Sequence, residues 1–252
     1  MAELKIPTET VTLPSKGLLY PETSPLAKGE IEMKYMTAKE EDILTNSNYI
    51  KNGTVIDKLL QALIITPIDY NELLVGDKNA ILIAARVLGY GKDYSFKYSN
   101  GSGEEIETFI DLSTLEDKQI DSTLYKRNTN EFPFILPHSG NNVTFKLLTH
   151  GDEQKIEAEI KGMKKVNPNG SYDVTTRLKY IITSVEGKYD QKDIREFVDN
   201  YLIAKDARAL REYYNQISPD INLTFKPEDE NYTGEGINIP ISLNFFWPDA
   251  RV

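Results

Sequence analysis

With 252 residues and 40% hydrophobic content, the chain can bury a sizeable core as one or two domains. A formal net charge of −10 excludes an extended nucleic-acid-binding surface, because neutralising phosphates takes clustered Lys and Arg, and pairs such as Lys164-Lys165 are too short to reverse it. Cysteine is absent, which excludes a disulfide framework, a thiolate metal site and a cysteine nucleophile.

Residues 1–30 hold Pro7, Pro14, Pro21 and Pro25 with Gly17 and Gly29, which rules out continuous helix or a central strand and predicts an extended arm. No apolar h-region precedes this arm, and the longest apolar runs, around 59–65 and 81–88, are too short to span a bilayer. A soluble chain made in a cytoplasm, without a membrane partner, is expected. Residues 30–36 alternate, with Ile31, Met33 and Tyr35 on one side, and predict a short strand. Thr37 with Glu40 has capping-box spacing and starts a helix to about Thr45. Thr54 with Asp57 opens another, and Ile56, Leu59, Leu60, Leu63 and Ile64 recur at helical spacing over 55–65 until Pro67 ends it. Residues 69–75 predict a short helix closed at Gly76. Asp77 then caps the strongest helix, 78–88, whose apolar residues cover more than one face and make it central. Tyr94, Phe96 and Tyr98 alternate with polar residues, a turn follows at Asn100-Gly101-Ser102-Gly103, and Ile106, Ile110 and Leu112 return: a β-hairpin. Ser113 with Glu116 predicts a short helical segment fading into the polar connector Asn128-Thr129-Asn130.

The second half follows the same plan. Phe132, Phe134 and Leu136, then Val143, Phe145 and Leu147, predict two strands around a turn at Ser139-Gly140-Asn141-Asn142. Helices are expected at 152–163 and 174–185, the latter from Leu178, Ile181, Ile182 and Val185. Asp190 caps a helix over 191–201, and Asp206 leads 207–217 to Pro219. Ile221, Leu223 and Phe225 then alternate, a polar loop turns, and 237–247 returns as a last strand.

The two halves match in detail. Leu13-Pro14 followed by Lys34-Tyr35-Met36-Thr37 recurs as Leu136-Pro137 followed by Lys146-Leu147-Leu148-Thr149. Asp77, Phe96 and Lys97 match Asp206, Phe225 and Lys226 at one constant offset, and Gly103, Ile106, Ile110 and Leu112 match Gly234, Ile237, Ile241 and Leu243 after a short insertion. The pattern implies a duplicated helix-plus-hairpin unit, residues 1–127 and 128–252. The fold class expected is α+β, with halves related by a pseudo-two-fold and their hairpins adjacent.

Catalytic signals are missing. His138 and His150 neighbour no set of carboxylates at metal-ligand spacing and read as surface or turn residues. No nucleophile elbow, phosphate loop or dinucleotide fingerprint occurs, and Gly89-Tyr90-Gly91 is a helix exit. Glu40-Glu41, Glu104-Glu105 and the run at 228–230 read as solvated acids rather than an acid/base pair. No catalytic residue, cofactor or metal is therefore expected. A small-molecule-binding enzyme on the duplicated scaffold would require Arg86 with Asp77, or Arg208 with Asp206, to converge on a pocket; helix capping is the simpler role for both aspartates.

The chain resembles the T4-like bacteriophage baseplate hub subunit family. The residues that carry the likeness are Leu13-Pro14-Ser15-Lys16-Gly17-Leu18-Leu19-Tyr20, Met36-Thr37-Ala38-Lys39-Glu40-Glu41-Asp42-Ile43-Leu44-Thr45-Asn46, Leu74-Val75-Gly76-Asp77 with Arg86, and Tyr90-Gly91-Lys92-Asp93-Tyr94. Further on they are Thr176-Arg177-Leu178, Ile182-Thr183-Ser184-Val185, Phe197-Val198-Asp199-Asn200, Ser218-Pro219-Asp220-Ile221 and Phe245-Phe246-Trp247-Pro248-Asp249. The resemblance implies a four-cysteine zinc site shared by the two hairpin turns of many relatives. Here those positions are Ser99, Ser102, Glu230 and Thr233, which are poor zinc ligands, so the metal is expected to be absent while the hairpins stay side by side. Tyr94, Phe96, Phe225 and Ile237 would then hold them by burial.

What the resemblance implies is a non-enzymatic structural or assembly protein of a contractile-tail baseplate hub. It would be retained in the virion or act as a chaperone in the host cytoplasm, with hub, tail or tape-measure proteins as partners. Fifteen Tyr and nine Phe suit interfaces as well as cores. The contact residues nominated are Leu18, Leu19 and Tyr20 in the arm and Phe245, Phe246 and Trp247 near the C-terminus, since extended arms bind by strand addition or wrapping and aromatic anchors dominate interfaces.

Overall fold

Alternation decides the first sheet. Strand β1 (Thr8–Thr12) pairs antiparallel with β2 (Glu30–Lys34), turning Ile31 and Met33 into the core and leaving Glu30 and Glu32 in solvent. The structure, a computed structural model, describes residues 6–100, 103–227, 232, 234, 236–241 and 243–246, with backbone alone at 243 and 244. The expected arm is thus an edge strand over 8–12. Pro7 and Pro14 flank it, so no ladder N–H within it is lost. The far side of β2 is met by the chain leaving the third helix: Ile64 bridges Met33, and the Ile65 N–H donates to the Glu32 carbonyl at 2.8 Å.

Helix α1 (Ala38–Leu44) begins at Thr37, and α2 (Ser47–Asn52) is capped by the Asn46 side chain. Helix α3 (Val55–Leu63) buries Leu59, Leu60 and Leu63. The central helix is α4 (Val75–Tyr90), with Ile81 and Ala85 fully enclosed and Gly91 (φ 86°) ending it. It starts earlier than the sequence predicts: Gly76 lies inside its first turn instead of closing a preceding helix, and residues 70–72 form only a single 3-10 turn. A close approach explains the glycine. A Cβ at Gly76 would stand 1.8 Å from the Pro219 carbonyl oxygen.

Strands β3 (Asp93–Ser99) and β4 (Glu105–Asp111) form the expected hairpin. The helical segment expected from Ser113 and Glu116 does not form. Asp111 instead captures the Ser113 N–H and caps one 3-10 turn, Leu112–Thr114. The connector is then stitched to the end of the chain, with Lys118 N–H donating to the Asp220 carbonyl and Asn222 N–H to the Glu116 carbonyl, both at 2.8 Å.

In the second half β5 (Phe132–Ile135), β6 (Asn142–Phe145) and β7 (Ile182–Val185) make one three-stranded antiparallel sheet. Helix α5 (His150–Val166) precedes α6 (Asp173–Ile181). The helix expected to run on to 185 stops at Ile181, because Ile182 turns extended and the next four residues pair with β6. Helices α7 (Gln191–Asn200) and α8 (Ala204–Ile217) follow, the first capped by Asp190 as expected. Strands β8 (Thr224–Phe225) and β9 (Ile237–Asn238) are only two residues each, and a 3-10 turn (Leu243–Phe246) replaces the long last strand. Helices and four small antiparallel sheets among the described residues make this an α+β fold.

One continuous apolar core joins the regions, from Leu13 and Leu26 to Phe245 and Phe246. The hairpins touch through aromatic edges: Phe96 meets Phe225 at 5.6 Å between centroids, and the Tyr94 hydroxyl donates to the Pro240 carbonyl at 2.8 Å. Tyr94 and Phe96 are buried, whereas Phe225 and Ile237 are half-buried. Two helix starts also carry the same ion-pair geometry. Lys34 reaches Glu40 at 2.8 Å across the Thr37 cap, and Lys146 reaches Asp152 at 2.7 Å across the Thr149 cap.

Candidate functional site

The nominated contact residues separate by position. Leu19 and Tyr20 are buried, as are Phe245 and Phe246, which are 0% exposed. In this fold those four side chains fill the chain's own interior. Leu18 is half-buried and its carbonyl accepts from the Asn128 N–H at 2.7 Å. Trp247 lies outside the described residues.

Tyr20 is the centre of a buried polar network. Its hydroxyl donates to Asp77 Oδ2 at 2.6 Å and accepts from the Leu74 N–H at 2.9 Å, while Ser15 gives Asp77 both its N–H (2.9 Å) and its hydroxyl (2.7 Å). Burial pushes the Asp77 carboxyl up, and burial beside that carboxylate drives the Tyr20 phenol well above its usual range. Asp206 makes the matching clamp, accepting from the N–H groups of His138 (2.8 Å) and Ser139 (3.0 Å). Neither aspartate is the helix N-cap that the sequence suggests. Both sit within the first turn and reach across to the chain just after a Leu-Pro. The arginine pairings needed for an enzyme pocket are not formed: Arg86 donates to the carbonyls of Gly91 and Asp93, and Arg208 to Glu212.

His150 is buried, not a surface or turn residue. Its Nδ1 lies 3.1 Å from Lys78 Nζ and its Nε2 3.0 Å from Gln154 Nε2, with Tyr70 edge-on at 4.7 Å. Lys78 also binds Asp57 at 2.6 Å, so the cluster ties α3 and α4 to the start of α5. A proton on this ring would sit beside an ammonium in a desolvated site. Burial first, and Lys78 second, lower its basicity.

A cleft of about 1120 Å³ opens between the start of α4, the connector, α6 and the end of α8. Its floor is apolar, with Leu148, Leu178, Ile181 and Ile239 among the lining residues. At its rim Arg177 binds Glu153 at 2.6 Å, and Asp220 accepts from Asn79 at 3.0 Å. Such a floor can hold a guest by shape and apolar contact.

Among the described residues, no group of three or more His, Cys, Asp or Glu could hold a metal ion. Of the four hairpin-turn positions, Ser99 is described and Ser102, Glu230 and Thr233 lie outside the described residues. A set of two serines, a threonine and one glutamate does not fit a tetrahedral zinc centre, which draws on thiolate and imidazole donors. No helix among the described residues is long and apolar enough to cross a membrane. The T4 bacteriophage base plate protein family matches residues 7–246. The chain belongs to that family. No curated protein and no solved structure matches it. Membership makes it a phage baseplate structural protein, one that works among other phage structural proteins of the virion tail.

Sequence reasoning passed over the outer edge of β1, where Thr8, Thr10 and Thr12 alternate with Glu9 and Val11. That period-two run of β-branched residues was the available signal.

Proposed function

We propose that this protein is a non-catalytic component of the baseplate hub of a contractile tail, acting as a subunit or assembly factor through contacts with hub, tail or tape-measure proteins. The observation that carries the reading is the family match over nearly the whole chain, joined to the hub-type motifs from Leu13-Pro14 to Phe245-Phe246. We further infer that residues 1–127 and 128–252 are copies of one unit. The paired Lys-Thr-acid helix starts, the Asp77 and Asp206 clamps after Leu-Pro, and the Phe96–Phe225 contact support this.

Affinity capture of the tagged protein from infected cells, followed by mass spectrometry, tests the role. Hub and tape-measure proteins should dominate the recovered partners. Recovery of peripheral baseplate proteins alone would overturn the hub assignment. Peptide counts in purified virions separate a retained subunit from a released chaperone.

A further inference from the structure

We propose that the outer edge of β1 is a docking site for an extended, Lys- or Arg-bearing segment of another polypeptide, which adds to the β1–β2 ribbon as a third strand. The ladder fixes which backbone groups are free. Tyr35 N–H donates to the Pro7 carbonyl and Leu13 N–H to the Gly29 carbonyl, so residues 7, 9, 11 and 13 turn their backbone groups toward β2. The N–H and C=O groups of Thr8, Thr10 and Thr12 therefore point outward. Among the described residues none of those groups is bonded across that edge.

Edge strands are usually blunted by lysine, proline, a bulge or a covering element. Strand β1 contains no lysine or proline, its register with β2 is unbroken, and Thr8, Glu9, Thr10 and Thr12 are all exposed. Threonine suits a half-exposed pleat, so the edge is preorganised as a template.

Charge selects the occupant. Glu9, Glu30 and Glu32 are exposed, and none forms an ion pair among the described residues, whereas Lys34 is engaged by Glu40. A docked strand runs about 4.8 Å from β1. A lysine opposite Glu9 lies beside that carboxylate, and one opposite Thr10 or Thr12 reaches over the threonine toward Glu32 or Glu30. A second copy of this chain would instead bring like charges together, with −10 on each partner. The hub reading supplies only the source of the segment; the edge itself rests on the ladder and the carboxylates.

The test uses purified full-length protein and a labelled Lys-Thr-Lys-Val-Lys-Thr-Lys peptide followed by fluorescence anisotropy. Saturable binding is expected, weakened at least about tenfold by Thr10→Pro, which removes one outward N–H without touching a β2 bond. Nα-methylation at the centre of the peptide should weaken binding similarly and needs no variant protein. The pair E30Q/E32Q should lower affinity and flatten its salt dependence. The proposal is overturned by absence of saturable binding, by equal binding of a Glu-for-Lys peptide or of the methylated peptide, or by dimerisation in ultracentrifugation that T10P abolishes. Failure of the infected-cell capture leaves this result untouched, so the two readings fail separately.

Discussion

Asp77 and Asp206 each stand in the first turn of a long helix and each hold the chain two residues past a buried leucine, yet their partners differ in kind. Asp206 takes two backbone N–H groups. Burial pushes its carboxyl up, but these bonds together with the Ser139 side chain outweigh burial and hold it below its ordinary value. Asp77 takes one N–H and two hydroxyls, and Tyr20 passes the network on to the N–H of Leu74 beside the start of α4. The first arrangement is a local clamp. The second is a four-bond network between residues 15–20 and residues 74–77, so its loss strands more buried polar groups.

The comparison breaks most visibly at these two residues. Asp77→Ala leaves the Ser15 N–H and the Ser15 and Tyr20 hydroxyls without their acceptor and should cost about 3–5 kcal/mol, whereas Asp206→Ala strands two N–H groups and should cost about 1–3 kcal/mol. Urea unfolding midpoints at unchanged slope measure both. Equal losses would mean that the Tyr20 branch adds nothing. One position earlier, Gly76 and Lys205 offer a second contrast. Gly76→Ala drives a Cβ into the Pro219 carbonyl and should cost about 1–3 kcal/mol although alanine favours helix, while exposed Lys205→Ala should stay within about 0.5 kcal/mol.

Local signals were readable and long-range ones were not. Helices α3, α7 and α8 and the β3–β4 hairpin follow from periodicity and turn residues in their own segments. Strand β7 was hidden because Ile181 and Ile182 continue a helical spacing, and only the distant partner β6 converts Ile182 to strand. Gly76 reads as a helix stop until the Pro219 carbonyl is placed against it. The same holds at the candidate site. Interface and core aromatics share one composition, so nothing in Tyr20 or Phe245 alone reveals that Asp77 and Tyr94 enclose them. The free groups of β1 depend on its register with β2, a relation between residues 18 to 26 apart.

His150 follows the Thr149 cap where Ala38 follows Thr37, which gives the second region a titratable group that the first lacks. Its folded basicity is depressed, so the unfolded chain takes up a proton first as pH falls below about 6.5, and stability should decline from there toward its folded value. Lys78, Asp57, Glu153 and Glu157 surround the ring, and the two nearest, Lys78 and Asp57, are paired with each other. His150→Gln should flatten chemical-denaturation stability between about pH 7 and 5. Identical slopes in the two proteins would place the dependence elsewhere.

The smallest contrast lies in the caps themselves. Thr149 Oγ1 accepts from the Asp152 N–H at 3.3 Å and donates to the Asp152 carboxylate at 3.1 Å, whereas the Thr37 hydroxyl donates to the Glu40 carboxylate at the shorter distance of 2.6 Å. Each threonine to alanine change should cost about 1 kcal/mol, but by different routes. At Thr149 the loss is the acceptor of a helix N–H together with a longer bond to the Asp152 carboxylate. At Thr37 it is a donor to a buried carboxylate that burial pushes up and that Lys34 and Thr37 together pull below its usual value. The Glu40 contribution is present above about pH 4.3 and disappears as pH falls through its folded value, so Thr37→Ala should narrow the gap to wild type in acid. Thr149→Ala, which removes a helix N–H acceptor and only a longer carboxylate bond, should narrow its gap less, and parallel curves for both variants would erase the distinction between the two helix starts.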